Sequence, residues 1–286
     1  MDTSIIFPNL HITLNNIGKG FYIGSFFIAF YGMIIALGML VGVSVILKEA
    51  KRVGFDEDKF LDVCIITIIV GVIGARLYYV IFAWDYYKDN LLSIFNIRQG
   101  GLAIYGGVLA GIACLAVLSK IRKLDFLQVL DVSILGVVIG QIFGRWGNFF
   151  NREVFGQYTD GPFAMLLPLN SIRSQQDVTP EMLTNLVHLN GVDYISVHPT
   201  FLYESLWNLG LLIIMLLMRK KKKFNGQIFF MYLLGYGAGR FWIEGIRTDQ
   251  LKLWGTNLPV SQLVAAIMVV LGALLITYNL VKSKNQ

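Results

Sequence analysis

Arg145 stands at the end of an apolar run that is long enough to span a membrane, and Asn148 follows three residues later. On a helix the two side chains would share a face. A charged group at membrane depth is normally turned toward a cavity, a partner or a ligand, and a guanidinium can grip a phosphate through two hydrogen bonds. An arginine that reaches back to the lipid headgroups would look the same in sequence, so for Arg145 alone both interpretations stay open.

A second charged group lies in another apolar run, where Arg240, Glu244 and Arg247 are spaced four and three residues apart. Such a stripe shares one helix face, and taken alone it is most simply a self-neutralised structural network. Depth favours a different interpretation. Counted along their runs at about 1.5 Å per residue, Arg76, Arg145 and Arg240 all fall in the same half of the membrane. Several arginines at one level favour a site for a phosphate-bearing lipid.

Three further residues have types that could do chemistry. His198 precedes a proline where an apolar run begins, so it is either a helix-capping histidine or a catalytic one. Tyr31 and Tyr105 are either ordinary interfacial tyrosines or members of the site. Zinc, serine-esterase and nucleotide-binding motifs are absent from the sequence, which leaves those chemistries without support.

The composition indicates the class of protein that must position these residues. Of 286 residues, 56% are hydrophobic and only 15% are charged, too few polar groups to cover a soluble globule. The formal net charge of +6 comes from clusters between apolar runs, a pattern that orients a membrane protein and does not indicate nucleic-acid binding. Cys64 and Cys114 lie inside apolar runs, where we expect them to be packing residues.

The apolar runs predict an all-α integral membrane protein with seven transmembrane helices, forming a single polytopic domain over residues 1–286. Residues 148–197 hold three prolines and show no convincing period, so they predict a small irregular outward-facing head or lid. The predicted spans cover approximately residues 21–47, 60–82, 100–118, 126–146, 198–218, 227–246 and 259–280.

Basic residues then predict the orientation. Seven spans divide the connecting segments into two alternating sets, one with fourteen Lys and Arg and the other, which includes Arg98, with seven. The richer set should face the cytoplasm. We therefore expect the N-terminus and the head at residues 148–197 to lie outside and the C-terminus to lie in the cytoplasm.

Three motifs together resemble the prolipoprotein diacylglyceryl transferase family. They are Gly144 to Gly156, His198-Pro199-Thr200-x-Leu202-Tyr203-Glu204, and Gly239-Arg240-Phe241-x-x-Glu244-x-x-Arg247. The resemblance implies a multi-pass enzyme of the bacterial cytoplasmic (inner) membrane. It implies that the diacylglyceryl group of phosphatidylglycerol is moved onto the thiol of the lipobox cysteine of a prolipoprotein, with release of glycerol phosphate. It implies no metal and no cofactor.

The resemblance also implies roles for residues. Arg145 matches the arginine that binds the phosphatidylglycerol headgroup, and Arg240 matches a second arginine implicated in catalysis. We assign a catalytic set of Arg240, Tyr105, Glu244, Tyr31 and His198, and a phosphatidylglycerol-binding set of Arg145, Asn148, Glu153, Gly156, Arg247 and Arg76. Glu153 and Glu244 are expected to orient the arginines. Many family members carry a histidine, proposed as a base, where this chain has Tyr105, and a neutral tyrosine with a reference pKa of about 10 is a poor base.

Two other classes of protein can be compared with this prediction. A transporter for an anionic substrate should show internal repeats and polar groups in both leaflets, and the sequence shows neither. A non-catalytic lipid-binding or assembly factor would use the same arginines. Sequence chemistry alone does not separate that factor from the transferase.

Overall fold

A computed structural model of the chain describes residues 4–97 and 100–284, so Arg98 lies outside the described residues. Long helices dominate this part of the chain. The helices are α1 (Phe30–Arg52), α2 (Glu57–Phe82), α3 (Trp84–Tyr87), α4 (Ile104–Ile121), α5 (Phe126–Asn151), α6 (Pro180–Thr184), α7 (Thr200–Met218), α8 (Gln227–Ile246) and α9 (Val260–Lys284). Six of them, α1, α2, α4, α5, α7 and α9, are long and apolar enough to cross a membrane.

Short strands form two antiparallel sheets, so the all-α prediction is wrong in this respect. The strands are β1 (Ile5–Phe7), β2 (Ile12–Leu14), β3 (Gly20–Ile23), β4 (Phe26–Ala29), β5 (Met165–Pro168), β6 (Val187–Leu189) and β7 (Val192–Val197). One sheet has the order β2-β1-β5-β7-β6, and the other contains β3 and β4. Met165 pairs with Val197, and Ile6 pairs with Leu166.

The head is therefore a five-stranded sheet that shares strands with the N-terminal segment, and the prediction of an irregular head is wrong. Its strands are three to six residues long, and all four residues of β5 are buried, so polar and apolar residues do not alternate there. Phe149 of α5 and Phe201 of α7 pack into the sheet's core together with Ile195. This core anchors the ends of α5 and α7, which carry much of the site described below.

The first predicted span, at residues 21–47, is wrong at its beginning. Residues 20–29 form the β3–β4 hairpin, and α1 starts only at Phe30. The turn contains Gly24, whose φ of +61° suits a tight hairpin connection. Gly24-Ser25 between two runs of aromatic and β-branched residues was the available signal. The high hydropathy of this segment outweighed the turn signal, because an apolar hairpin and an apolar helix give the same hydropathy.

The chain divides into two compact units, Met1–Gly42 with Ile134–Gln286 and Val43–Ser133, and the boundaries between them fall within α1 and α5. In the first unit, α8 packs between α7 and α9. A Cβ on Gly272 of α9 would lie 2.7 Å from the backbone nitrogen of Leu234, so the two helices approach closely there. In the second unit, α2 and α4 pack along a similar seam, where a Cβ on Gly106 would lie 2.5 Å from the carbonyl oxygen of Gly74.

Candidate active site

Helix α5 carries Arg145 and Asn148 on one face, as their spacing predicts. Arg145 Nη1 donates a hydrogen bond of 3.3 Å to Asn148 Oδ1. Among the glycines before Arg145, Gly136 lies close to α1, since a Cβ on Gly42 would lie 2.9 Å from its carbonyl oxygen, whereas a Cβ on Gly140 would meet nothing within 4 Å. Gly147 also makes a close approach, because a Cβ there would lie 2.6 Å from the ring of Tyr31. The last turns of α5 therefore hold Tyr31 beside Arg145.

A sharp turn follows α5 and aims Glu153 back at it. Arg152 and Val154, on either side of Glu153, both have positive φ values of 52° and 60°. Such a conformation is rare for a β-branched residue, so the turn is held by its surroundings. Glu153 Oε1 accepts hydrogen bonds of 3.0 Å from the side-chain amides of both Asn148 and Asn151. The carboxylate therefore orients the amide that contacts Arg145.

Glu204 is the centre of the charged cluster. It lies in the second turn of α7, its side chain is 3% exposed, and its carboxylate reaches three arginines. Arg145 Nε lies 2.8 Å from Oε2, while Oε1 accepts a 3.0 Å hydrogen bond from Arg240 Nη1. Arg247 Nη1 lies 3.7 Å from Oε1. One buried carboxylate thus contacts guanidinium groups from α5, from α8 and from the residue that follows α8.

The predicted stripe of α8 is present. Arg240 Nη2 lies 2.5 Å from Glu244 Oε2, and Arg247 Nη1 lies 3.7 Å from the same oxygen. Asp249 accepts hydrogen bonds from Arg247 Nε at 2.9 Å and from Nη2 at 2.6 Å. A carboxylate on each side of Arg247 therefore fixes its plane.

The remaining donors of Arg145 and Arg240 give the cluster its chemical capacity. A guanidinium has five N–H donors, and each of these two arginines uses two nitrogens in contacts with described residues. Their side chains are 19% and 14% exposed, so they are accessible and largely dry. Such a pair can hold a phosphodiester and stabilise charge that develops on it.

Gly156 and His198 meet where the turn after α5 passes the start of α7. The backbone nitrogen of Gly156 donates a 3.0 Å hydrogen bond to the carbonyl of His198, and Gly156 also forms a strand-like bridge with Arg247. A Cβ on Gly156 would lie 2.7 Å from His198 Cβ, so only glycine fits without a shift. Its place explains how the turn, α7 and the end of α8 are held together.

The His198 ring lies against Tyr203, and Nδ1 is 3.3 Å from the Tyr203 hydroxyl oxygen. Within the described residues, no hydrogen bond joins the His198 ring to Arg145, Arg240 or Arg247. Burial lowers the pKa of His198 below its ordinary value. The ring is therefore neutral near pH 7 and can accept a proton or a hydrogen bond.

Arg76 belongs to the second unit and has different contacts. Its guanidinium donates all five of its hydrogen bonds to backbone carbonyls, over distances of 2.7 to 3.2 Å. The acceptors are Ser93, Ile94, Asn96, Gly100 and Gly101. Its side chain also lies over the ring of Tyr87, at 5.1 Å. These contacts hold the segment before α4 and leave no N–H of Arg76 for a phosphate.

Tyr105 also belongs to the second unit, in the first turn of α4. Several glycines surround it in the chain. Gly100 and Gly101 have φ values of 93° and 77°, and Gly106 allows the close approach to α2. A backbone bond of 3.0 Å from Ala103 to the carbonyl of Ala75 fixes the start of the helix. Tyr105 is thus held in place by α2 and by the loop that Arg76 binds.

Sequence reasoning missed Glu204 and Asp249 as site residues, and it missed the contact of Arg173 with Glu153. Glu204 had a signal, because it is an acidic residue four positions into an apolar helix. Arg173 had none, since it lies in the head and meets Glu153 at 2.7 Å only through the fold. The described residues contain no group of three or more His, Cys, Asp or Glu that could hold a metal ion.

Comparison with known proteins identifies the family. The sequence profile of the family described as prolipoprotein diacylglyceryl transferase matches residues 19–278. A protein of Clostridioides difficile named phosphatidylglycerol–prolipoprotein diacylglyceryl transferase is 43% identical over 90% of this chain and 93% of its own length. Proteins of the same name from Halalkalibacterium halodurans and Bacillus mycoides are 41% and 39% identical over 89% of this chain, covering 83% and 88% of their own lengths. The chain therefore belongs to the prolipoprotein diacylglyceryl transferase family.

Proposed function

We propose that this protein transfers the diacylglyceryl group of phosphatidylglycerol to the thiol of the lipobox cysteine of prolipoproteins. The cysteine sulfur attacks the glyceryl carbon, a thioether bond forms, and the bond from that carbon to the phosphate oxygen breaks. The thiol proton passes to water, and glycerol phosphate leaves with the electron pair of the broken bond. The reaction uses no metal and no diffusible cofactor.

The observation that carries this proposal is the way Glu204 holds Arg145 and Arg240. The two guanidinium groups share one buried carboxylate, at 2.8 and 3.0 Å, and each keeps N–H donors for a ligand. Their positive charges are set in place before the substrate arrives, so little reorganisation is needed when negative charge grows on the departing phosphate. This arrangement supports a phosphate-binding and phosphate-releasing site.

The residues of the charged cluster have distinct roles in this proposal. Arg145 and Asn148 bind the headgroup, and Arg240 stabilises the leaving phosphate, while Glu244 and Arg247 orient Arg240. Glu153 orients Asn148. Tyr31 is placed by Gly147 next to this group, within electrostatic range of Glu153 and Arg145.

We propose that the chain has seven spans, in which α8 joins the six helices named above. Helix α8 has 20 residues, or about 30 Å, which matches the hydrocarbon core of a bilayer. Its polar residues lower its hydropathy, but Arg240 and Glu244 face the charged cluster, where such residues are expected in a membrane helix. With seven spans, the basic residues favour an outward head that receives the lipobox peptide and a cytoplasmic C-terminus.

Transfer can be tested with purified protein, acyl-labelled phosphatidylglycerol and a lipobox peptide. The label should appear on the peptide and glycerol phosphate should be released. A peptide with serine in place of the cysteine should stay unlabelled. Binding of phosphatidylglycerol without any transfer would instead support a non-catalytic lipid-binding factor.

Orientation can be tested with single cysteines in a background that carries Cys64→Ala and Cys114→Ala. Glu181 in the head and Lys221 after α7 are both exposed, so they suit labelling. An impermeant maleimide added to intact cells should label Glu181→Cys, and should label Lys221→Cys only after permeabilisation. The opposite pattern would overturn the orientation.

A further inference from the structure

A line of polar contacts leads from the buried cluster to the protein surface. Arg145 Nη1 donates to Asn148, Asn148 Nδ2 donates to Glu153 Oε1 over 3.0 Å, and Arg173 Nη1 donates to Glu153 Oε2 over 2.7 Å. The Arg173 side chain is 59% exposed, whereas Arg145 is mostly buried. Neighbouring side chains therefore offer hydrogen bonds along the whole distance from the cluster to water.

The outer end of this line carries an excess of positive charge. Lys19 lies within electrostatic range of Arg152, Arg173 and Glu153, and Arg173 forms an ion pair with Glu153. The fold ties them to one place, because the guanidinium of Arg152 donates to the carbonyl of Ile17 and the backbone nitrogen of Arg173 donates to the carbonyl of Arg152 at 3.4 Å.

The pKa of Lys19 reflects this charge. Partial burial, followed by the positive charges of Arg152 and Arg173, lowers the pKa of Lys19, and Glu153 opposes the effect. Within the described residues, Lys19 forms no ion pair with a carboxylate. An anion placed among these side chains would relieve their mutual repulsion.

The proposed reaction produces such an anion. Glycerol phosphate is a phosphate monoester with charge close to −2 at neutral pH, whereas the lipidated peptide stays in the membrane. A charge of this size cannot leave through hydrocarbon, so it needs a route lined with donors. Arg173 is suited to bind the phosphate, because its exposed guanidinium can replace the contact with Glu153 by a contact with the ligand.

We propose that Lys19 and Arg173, with the positive charge of the buried Arg152 beside them, form an exit site that binds the phosphate-monoester leaving group on its way from Arg145 to water. This inference rests on the proposed function. The ligand chemistry, a phosphate group, could also come from the headgroup of phosphatidylglycerol on its way in, so the test separates the two sources.

The test uses the full-length protein with Lys19→Gln, Arg173→Gln and the double variant. Lys252→Gln is the matched control, since Lys252 is an exposed cation of the same unit outside the site. The KM for phosphatidylglycerol and the inhibition constant of added glycerol phosphate are measured in each. In the double variant the inhibition constant should rise about tenfold while the KM changes little, because only the free phosphate loses its contacts. Arg173→Lys keeps the positive charge, so its inhibition constant should stay close to that of the unaltered protein.

Three results would overturn the exit site. A KM that rises in step with the inhibition constant would make the cluster a headgroup site. Values equal to those of Lys252→Gln would make it structural. Absence of transfer by the unaltered protein would refute the proposed function and the leaving group together, whereas normal transfer with unchanged inhibition refutes only the exit site.

Discussion

The two units of the chain each bury arginine in a helix, and they satisfy it in opposite ways. In the first unit, Arg145 and Arg240 are held by the carboxylates of Glu204 and Glu244 and keep N–H donors for a ligand. In the second, Arg76 has no carboxylate among its hydrogen-bond acceptors and gives all five donors to backbone carbonyls. Arg76 is also less exposed, at 6%.

The difference is the one expected between a binding arginine and a structural one. A carboxylate can be exchanged for a phosphate, because both are anions that accept paired hydrogen bonds. Carbonyls of a folded loop cannot be exchanged without unfolding that loop, and a buried carbonyl without a partner is costly. The contacts of a buried arginine therefore indicate its role better than its depth does.

The largest expected effect is at Arg145 and Arg240. A lysine keeps the charge but offers one point charge where a guanidinium grips two oxygens. Arg145→Lys and Arg240→Lys should each lower the transfer rate about a hundredfold, with normal amounts of folded protein. Initial rates with purified variants measure this.

The matched control is Arg122→Lys, which changes an arginine that pairs with Asp62 at 3.1 Å outside the site. It should transfer at close to the normal rate. Near-normal turnover by Arg145→Ala would show that Arg145 is structural, and the contrast with Arg76 would disappear.

A smaller effect is expected at Glu204, the residue that makes the first unit different. Glu204→Gln removes the charge that orients three guanidinium groups, so kcat should fall about tenfold through misplacement while KM for phosphatidylglycerol does not rise. Glu181→Gln, at an exposed position in α6, is the control. A raised KM at unchanged kcat would mean that Glu204 serves ground-state binding and does not orient the arginines for the reaction.

At Arg76 we expect a loss of stability with little loss of transfer per folded molecule. A lysine has three donors, so Arg76→Lys leaves at least two carbonyls without their partner, at roughly 1.5 to 3 kcal/mol for each lost bond. Thermal unfolding in detergent should begin at a lower temperature, and hydrogen exchange should quicken at residues 91–97 and 100–103. Normal protection with a raised KM for phosphatidylglycerol would return Arg76 to the lipid-binding set.

A comparison of Arg76 with Arg145 also shows how much could be predicted from the sequence. The long helices follow from apolar runs, and α8 begins and ends where predicted, at residues 227 and 246. Arg76 and Arg145 look alike in sequence, because each stands near the end of an apolar run. Only the tertiary partners distinguish them, namely Glu204 from a distant helix and the carbonyls of a loop. The head sheet escaped prediction for a similar reason, since its strands are very short and pair residues as distant as Ile6 and Leu166.

Tyr105 belongs to the second unit, and it stays a predicted catalytic residue. If its hydroxyl takes part in the reaction, Tyr105→Phe should be several-fold slower and Tyr105→His should stay active. Equal rates for Tyr105→Phe and the unaltered protein would show that Tyr105 is a packing residue. Hydrogen exchange at residues 104–110 checks that neither variant disturbs the start of α4.

The smallest expected effect is at His198, which tests whether the first unit supplies a base. Burial lowers the pKa of His198 below about 6.5, so an obligatory His198 base would make the rate rise with pH below that value and stay level near pH 7 to 8. A cysteine thiol has a pKa of about 8.5, and nearby arginines can lower it, so a thiol that ionises without a strong base would make the rate keep rising above neutral pH. We expect this second profile, because the His198 ring forms a hydrogen bond with Tyr203 and with none of the three arginines in the described part of the chain. His198→Ala should then be only a few-fold slower, with an unchanged pH profile. Complete loss of transfer in His198→Ala, with recovery at high pH, would instead identify His198 as the base and place the proton acceptor in the same unit as the paired arginines.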